Sequence, residues 1–470
     1  VNSEQKLTRD DYMPELAESR AHRVLSELSI TEAKGGRAVS TVSPARRTRP
    51  RNRAALILAA STDLFCQRGY SQVGMADIAE AVAIRPSALY RHFAGKQQLL
   101  GEVVLGTLTD IRDLVVSLDG ADRNVWLPAL AGMALDNRRI GVLWRRESRH
   151  LASADRLRMR HELDGIRDRL AALALTARPG SDVDTAALRA WFLPAVLLNV
   201  SFHRLQLPRA EFQPLLAELA GTVLDVDLPA AAGRRLPVVT ELHTRQDFRA
   251  DHMPHVQLGN PRQGATAGAP PGALAPKSRR EALLLEATRM FADRGYAEVG
   301  IDDVGASLGM TGAAVYHHFS TKLEMLQSAF RRGDEWLWAD LTRTLGLATD
   351  PTDGLRRLVR SYGSFAVHSP DLVNLLITET NQLPDAGRRA HLSQRAYLDE
   401  WVHLALAVHP GLDPTVARIR VHAVLTAANQ VARGRRLRQH PAALPSLYVI
   451  GDALLRLPPE TGALEEPVSG

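Results

Sequence analysis

The sequence predicts an all-α protein built from two similar halves. Three observations carry that expectation. Apolar residues recur at spacings of three and four along nearly every patterned stretch, as in helices with one buried face, and alternating strand-like runs are scarce. Proline and glycine punctuate the pattern at Pro179-Gly180, Pro208, Pro370, Pro384, Pro410-Gly411 and Pro441, where helices stop. Residues 53–100 align with 279–326 without a gap, with 16 identities in 48 positions. Ordinary residue frequencies would give about three.

Each element can be justified in turn. Residues 53–68 place Leu56, Ile57, Ala60, Leu64 and Phe65 on one helical face, and Gly69 ends the helix. A short helix over 75–82 points Met75, Ile78, Ala79 and Val82 inward, and a tight turn follows at Ala83-Ile84. A third helix over 86–93 opens on Pro86, where proline costs little. Helical patterns continue over 99–118, 126–135, 140–151, 155–175, 185–205 and 209–224. After the second copy they run over 323–347, 354–367, 371–382, 386–408, 414–433 and 442–457. The late segments 184–204 and 413–434 match each other: each has an acidic residue near its start and asparagine near its end (Asn199, Asn429).

The resulting domains are a first three-helix unit at 46–100, a helical domain at 101–228, a second three-helix unit at 278–326 and a second helical domain at 327–460. Residues 229–277 carry Pro-Pro and Gly-rich pieces without periodicity and read as a linker. Residues 1–45 read as a disordered tail or an early-assigned start, and 461–470 as a tail.

Composition excludes several classes. With 45% hydrophobic and 23% charged residues, a 470-residue chain is neither disordered throughout nor a small disulfide-stapled scaffold. Its one cysteine, Cys66, can form neither an intrachain disulfide nor a cysteine zinc site, so a reducing, cytoplasmic compartment is expected. The longest apolar runs, such as 192–200, fall short of the ~20 residues a bilayer span needs, and 1–11 has no signal-peptide core. No membrane partner is expected. The +6 net charge is modest, so its placement matters more than its size.

Helix, short turn, helix is the helix-turn-helix arrangement, whose second helix fits a major groove. Its outward residues are Arg85, Ser87, Ala88, Tyr90, Arg91 and His92, and Pro86 at its start joins them as a DNA-binding candidate. Arginine can pair bidentately with guanine, and serine can bond several base edges. Lys96 is placed to neutralise a phosphate, and Arg46, Arg47, Arg49, Arg51 and Arg53 form a basic arm for phosphates or a minor groove. In the second unit Thr311, Gly312, Ala313, Tyr316 and His317 take the reading positions, Lys322 matches Lys96, and Lys277, Arg279 and Arg280 form a weaker arm. His92 and His318 read as packing or capping imidazoles rather than base readers. The pair His317-His318 has no acid-rich partner at ligand spacing, so no metal or cofactor is expected.

Both units resemble the DNA-binding domain of the tetracycline-repressor (TetR) family. The resemblance rests on Phe65–Tyr70, Met75–Ala79 and Ser87–Phe93 with Lys96, and on Phe291–Tyr296, Ile301–Val304 and Ala314–Phe319 with Lys322. It covers about 100 of the 470 residues. It implies a regulator, repressor-like, whose helical domains bind a small effector and dimerise through their last two helices. It also implies that the Tyr and Lys positions touch the DNA backbone. Ala83 departs from the turn glycine usual in the family, which the second unit keeps as Gly309. Gly305 inside a helix and Gly312-Ala313-Ala314 on the reading helix leave the second unit little chemistry for base contacts.

Candidate pocket residues are Trp144, Trp191, Phe192, Asn199 and His203 in the first half, and Phe365, His368, Glu379, Tyr397, Trp401 and Asn429 in the second. The arginine run 433–438 reads as a solvated helix end. No nucleophile elbow, phosphate loop, dinucleotide fingerprint or zinc-protease motif occurs, so an enzyme is not expected. The expected function is sequence-specific binding of double-stranded operator DNA, released by a small apolar effector, by an intrachain pseudo-dimer or a homodimer. The alternative is a DNA-binding or interaction scaffold in which one or both heads are degenerate.

Overall fold

The computed structural model describes residues 53–229, 276–383 and 385–459. The expected tails, most of the linker, and Arg49 and Arg51 lie outside the described residues. Every regular element among those described is helical. The chain divides into two compact units, 1–103 and 104–470.

The first unit holds α1 (Arg53–Arg68), α2 (Met75–Ala81), α3 (Pro86–Leu89) and the start of α4 (Lys96–Ser117). Ile57, Phe65, Ile78, Leu89, Phe93 and Leu99 form its buried centre, each contributing about 1.5–3 kcal/mol by leaving water. Gly69, at φ 85, ends α1. The Gly74 N–H donates to Asp77 Oδ2 at 2.6 Å, so the carboxylate satisfies an orphan donor at the start of α2. Ala83 takes the turn at φ 52, a left-handed conformation that suits glycine better.

The second unit takes up the rest of α4 and continues with α5 (Arg123–Asp136), a short α6 (Ile140–Val142), α7 (Ser153–Ala177), α8 (Val183–Leu197) and α9 (Arg209–Asp225). The helix expected over 140–151 is interrupted: α6 runs into a π turn, Leu143–Glu147, and a 3-10 turn, Ser148–His150. Gly141 lies against Ser201 so closely that a Cβ would fall 2.6 Å from its Oγ. The helix expected over 185–205 stops at Leu197 and closes in a 3-10 turn. The run Val183–Ser201 is 19 residues long and apolar enough to cross a membrane, longer than the sequence reading allowed. Most of it is buried against other helices, which accounts for its apolarity.

The second head follows as α10 (Arg279–Arg294), α11 (Ile301–Ser307) and α12 (Gly312–Tyr316). Its core of Leu284, Phe291, Val304, Val315, Phe319 and Met325 is joined by Leu375 and Leu383. Gly305 has a packing reason, since a Cβ there would sit 2.8 Å from Val315 and 3.0 Å from the Met310 carbonyl. The rest comprises α13 (Lys322–Leu347), α14 (Pro351–His368), α15 (Pro370–Thr378), α16 (Asp385–Val408), α17 (Pro414–Arg433), α18 (Arg435–Arg438) and α19 (Ala443–Leu454). Helix α10 packs on α13 and α15, and α14 is surrounded by α13, α16, α17 and α19.

Within this unit the late helices of the first half meet those of the second. Helix α8 lies along α17, and α9 touches α19. The Asp182 and Asp413 caps open α8 and α17, and seven residues on, each helix carries a buried arginine. Arg189 donates to the Val226 carbonyl and Arg420 to the Leu454 carbonyl, so each ties down the end of its own half's last helix. Arg420 also reaches across to both carboxylate oxygens of Glu218, at 2.7 and 3.0 Å, and Arg456 joins it at 2.7 Å. His203 and His422 meet across the same junction, with ring centroids 4.8 Å apart.

Candidate nucleic-acid interface and effector region

In the first head, Arg85 caps α3 in extended backbone and Pro86 stands at its first position. Leu89 and Phe93 anchor the segment inward, which leaves Arg85, Pro86, Ser87, Tyr90, Arg91 and His92 exposed on the outer side. Tyr90 is 55% exposed, so its ring belongs to this surface rather than to the core.

The second head presents Thr311, Ala313, Tyr316 and His317 in the same way. Thr311 is committed to capping, since its hydroxyl accepts from the Ala314 N–H. Asp302 alters the electrostatics. Its Oδ1 lies against Gly312, only 2.0 Å from where a Cβ would be. A carboxylate therefore covers the start of the second reading helix, where the first head has Ala76 beside Pro86. Arg279 is exposed, whereas Arg280 stacks over Phe319 at 4.4 Å.

The two lysines are structural in this conformation. Lys96 Nζ donates to the Tyr70 carbonyl at 2.8 Å and lies 4.2 Å above the Tyr70 ring. Lys322 donates to the carbonyls of Tyr296 and Val299 at 2.8 and 2.9 Å, above the Tyr296 ring. Desolvation holds the Lys322 ammonium below its ordinary pKa. Phe65 and Phe291 pack on the same tyrosines, at 5.5 and 5.3 Å. The repeated Phe, Tyr and Lys thus form a contact cluster inside each head, and the exposed reading residues lie between Tyr and Lys in sequence.

The expected pocket residues fall into two groups. In the second half they converge. Phe365, Tyr397 and Trp401 join through Tyr362, which sequence reasoning missed, with centroids about 6 Å apart. The Tyr362 hydroxyl donates to Asn429 Oδ1 at 2.9 Å, and burial pushes its pKa up to about 12. Trp336 stacks on Phe365 at 4.1 Å and borders a cleft of about 410 Å³ lined also by Asp340, Arg343, Arg357, Arg360 and Ser361. None of the expected residues lines that cleft. His368 stands apart, capped by its own helix through the Ser364 carbonyl.

In the first half they do not converge. Phe192 is core, Asn199 is buried and bonded to His203, and Trp191 lies beneath Arg167 at 3.9 Å. Trp144 is half-buried, and its indole N–H finds no partner among the described residues. Glu379 is fully buried and holds Arg149 from the first half. Arg433 is not a solvated helix end. It is half-buried, its Nη1 donating to the Arg145 carbonyl at 2.9 Å, while Arg435 and Arg436 are exposed. No periodicity marks an arginine that turns inward from a basic run, so pattern reading could not separate Arg433 from its neighbours.

A compact three-helix head with a basic, exposed reading helix, attached to a helical body, defines a DNA-binding transcription regulator. The family of bacterial regulatory proteins, tetR family, matches twice, over residues 57–103 and 283–329. The chain is 33% identical over 110 residues to the HTH-type transcriptional repressor KstR2 of Mycolicibacterium smegmatis, covering 23% of this chain and 54% of that protein. It is 33% identical over 90 residues to the transcriptional activator FasR of the same organism, covering 19% and 41%. It is 37% identical over 134 residues to the transcriptional repressor Rv3405c of Mycobacterium tuberculosis, covering 26% and 71%. The solved structure of KstR2 from M. tuberculosis shares 21% identity over 39% of this chain and 95% of its own, with a TM-score of 0.36. The chain thus spans about half the length of the first two relatives. It belongs to the TetR family of DNA-binding transcriptional regulators, with the head present in tandem.

Proposed function

We propose that this chain is an operator-binding repressor that works as an intrachain pseudo-dimer and is released by a small effector held in its helical body. The observation that carries the pairing is the junction of α8 and α9 with α17 and α19, tied by Glu218 to Arg420 and Arg456. Family members pair through these positions, and here one chain supplies both partners. Two of the named relatives are repressors, which supports that polarity, and a bacterial cytoplasm is where such an operator lies.

The two heads read unequally. Arg85, Ser87 and Arg91 supply base-edge chemistry in the first, with Tyr90 on the backbone. The second contributes Tyr316 and His317 and a carboxylate at its tip. The operator is therefore asymmetric, with one strongly read half-site. Effector release is a population shift between arrangements of the body that favour or disfavour DNA.

The test is selection of binding sites from a random DNA pool by the full chain, with its mass in solution measured by light scattering. A site with one strong half and a mass near 51.4 kDa are expected. A palindromic site bound by a particle of twice that mass would overturn the intrachain pair. Enrichment of nothing, with binding that depends on salt alone, would leave a non-specific scaffold.

A further inference from the structure

At the junction of the two halves, two arginines are half-buried without a carboxylate partner among the described residues. Arg145 sits in the π turn Leu143–Glu147, which packs against α15. Its guanidinium lies 4.4 Å over the Phe202 ring and has no carboxylate partner among the described residues. Arg433, at the end of α17, bonds the Arg145 carbonyl. The neighbouring carboxylates are occupied: Glu147 holds Arg146, and Glu379 holds Arg149. Desolvation and repulsion from Arg433 bring Arg145 down to about 9, and desolvation and repulsion from Arg149 bring Arg433 down to about 10. Tyr362, close enough to interact with Arg145, is bonded to Asn429, one helical turn before Arg433 on α17.

Partly desolvating one unpaired cation has a cost, and bringing two together adds their repulsion to it. Such an arrangement persists where an anion completes it. We propose that Arg145 and Arg433 form an anion-binding site at the junction of the two halves, taking the carboxylate or phosphate head of an effector whose body faces the aromatic side chains around Tyr362. The proposal rests on the ligand-responsive reading above and gives the effector its chemical class. It also explains why one chain carries both halves, since neither half alone supplies both guanidinium groups.

The test is thermal unfolding of the full chain, followed by circular dichroism, in sodium phosphate and in sodium octanoate against sodium chloride at matched ionic strength. At least one of the two anions is expected to raise the wild-type midpoint by about 3 °C or more, increasing with concentration. Arg145→Met is expected to raise the midpoint in chloride, because it removes an unmatched, half-buried charge that faces a second one, and to lose the anion-dependent rise. Arg433→Met does the same and serves if the first variant does not fold. Whether phosphate or octanoate acts tells which head the site takes. No rise with either anion, or an equal rise in both variants, overturns the proposal. Binding of the selected DNA, measured in parallel by mobility shift, separates the two readings: DNA binding without an anion effect sinks the site alone, and an anion effect without DNA binding sinks the regulator alone.

Discussion

Arg149 of the first half and Glu379 of the second form an ion pair whose carboxylate is fully buried. Glu379 also accepts from the Tyr296 N–H at 3.4 Å through its other oxygen. The Arg149 guanidinium lies against Gly295, where a Cβ would come within 2.8 Å of it. Gly295 ends α10, the first helix of the second head. One pair therefore links the first half's body to the second head at the Gly295 turn.

Breaking this pair leaves one charge enclosed, which costs about 3–5 kcal/mol in comparable buried pairs. Glu379→Gln is expected to lower the unfolding midpoint of the second unit while leaving DNA binding by Arg85 and Arg91 within about twofold of wild type. Gly295→Ala adds strain at φ 93 to a clash with Arg149 and has the same signature. Calorimetry and mobility shift together check both variants. Equal loss of first-head DNA binding would show that the link is not local.

The strained turn of the first head makes a prediction of opposite sign. Ala83 holds φ 52, and Gly309 holds φ 67 at the matching turn. Glycine occupies this region without the Cβ clash, worth about 1 kcal/mol. Ala83→Gly is expected to stabilise the first head by about that amount, and Gly309→Ala to destabilise the second. Hydrogen exchange of the α1 and α2 amides reads the first change directly. A destabilised Ala83→Gly variant would mean that the turn is strained in no relevant sense.

The lysines separate a structural from an electrostatic role. Lys96 bonds a backbone carbonyl in its own head. If that is its main duty, Lys96→Met lowers head stability by about 1–2 kcal/mol and leaves the salt dependence of DNA binding unchanged. A phosphate contact would instead flatten the slope of log K against log salt by about 1. Titrating DNA binding at several salt concentrations decides between them.

Asymmetry between the heads is testable in the same assay. Arg85→Ala with Arg91→Ala should weaken specific binding by at least about tenfold, given about 1–3 kcal/mol for each good base pairing. Thr311→Ala with His317→Ala should cost under about threefold. Asp302→Asn, which removes the carboxylate beside Gly312, should tighten binding. Weaker binding by Asp302→Asn would assign that side chain to DNA recognition.

Much of this was legible in the sequence because periodicity and punctuation report local physics. Helices α1 and α17 occupy the residues their apolar pattern and stops predict, α10 follows α1 through the gapless repeat, and Gly69 and Pro86 play the parts their chemistry dictates. The reading surface was legible for the same reason: Leu89 and Phe93 must face inward, so Arg85, Ser87 and Arg91 must face out. Long-range pairing leaves no such trace. Nothing local distinguishes Arg433 from Arg435, or Tyr362 from any other helical tyrosine, because their environments come from segments up to 288 positions away. Aromatic and asparagine residues were marked as pocket candidates by type alone. Phe365, Tyr397 and Trp401 come together where α14, α16 and α17 meet, but they are as deeply buried as Phe192, so residue type does not separate pocket from core.

The junction itself should respond to pH. His203 stacks on Phe212, bonds Asn199 and meets His422. Burial, the facing imidazole and Arg138 bring His203 down to about 2, and burial with Arg418 brings His422 to about 4. In the unfolded chain both protonate near 6.5. Below that pH the unfolded state binds more protons than the folded one, so stability rises with pH and falls on acidification. The loss begins as pH drops through 6.5 and continues toward 4, by up to about 1.4 kcal/mol per pH unit for each histidine. Denaturant unfolding at pH 7.5, 6 and 5 should show this decline. His203→Gln with His422→Gln should flatten it while leaving the pH 7.5 value closer to wild type than the pH 5 value. An unchanged slope in the double variant would place the acid sensitivity elsewhere, with the carboxylate of Glu218 as the next group to titrate: its bonds to Arg420 and Arg456 hold its pKa down, so its contribution disappears only at lower pH.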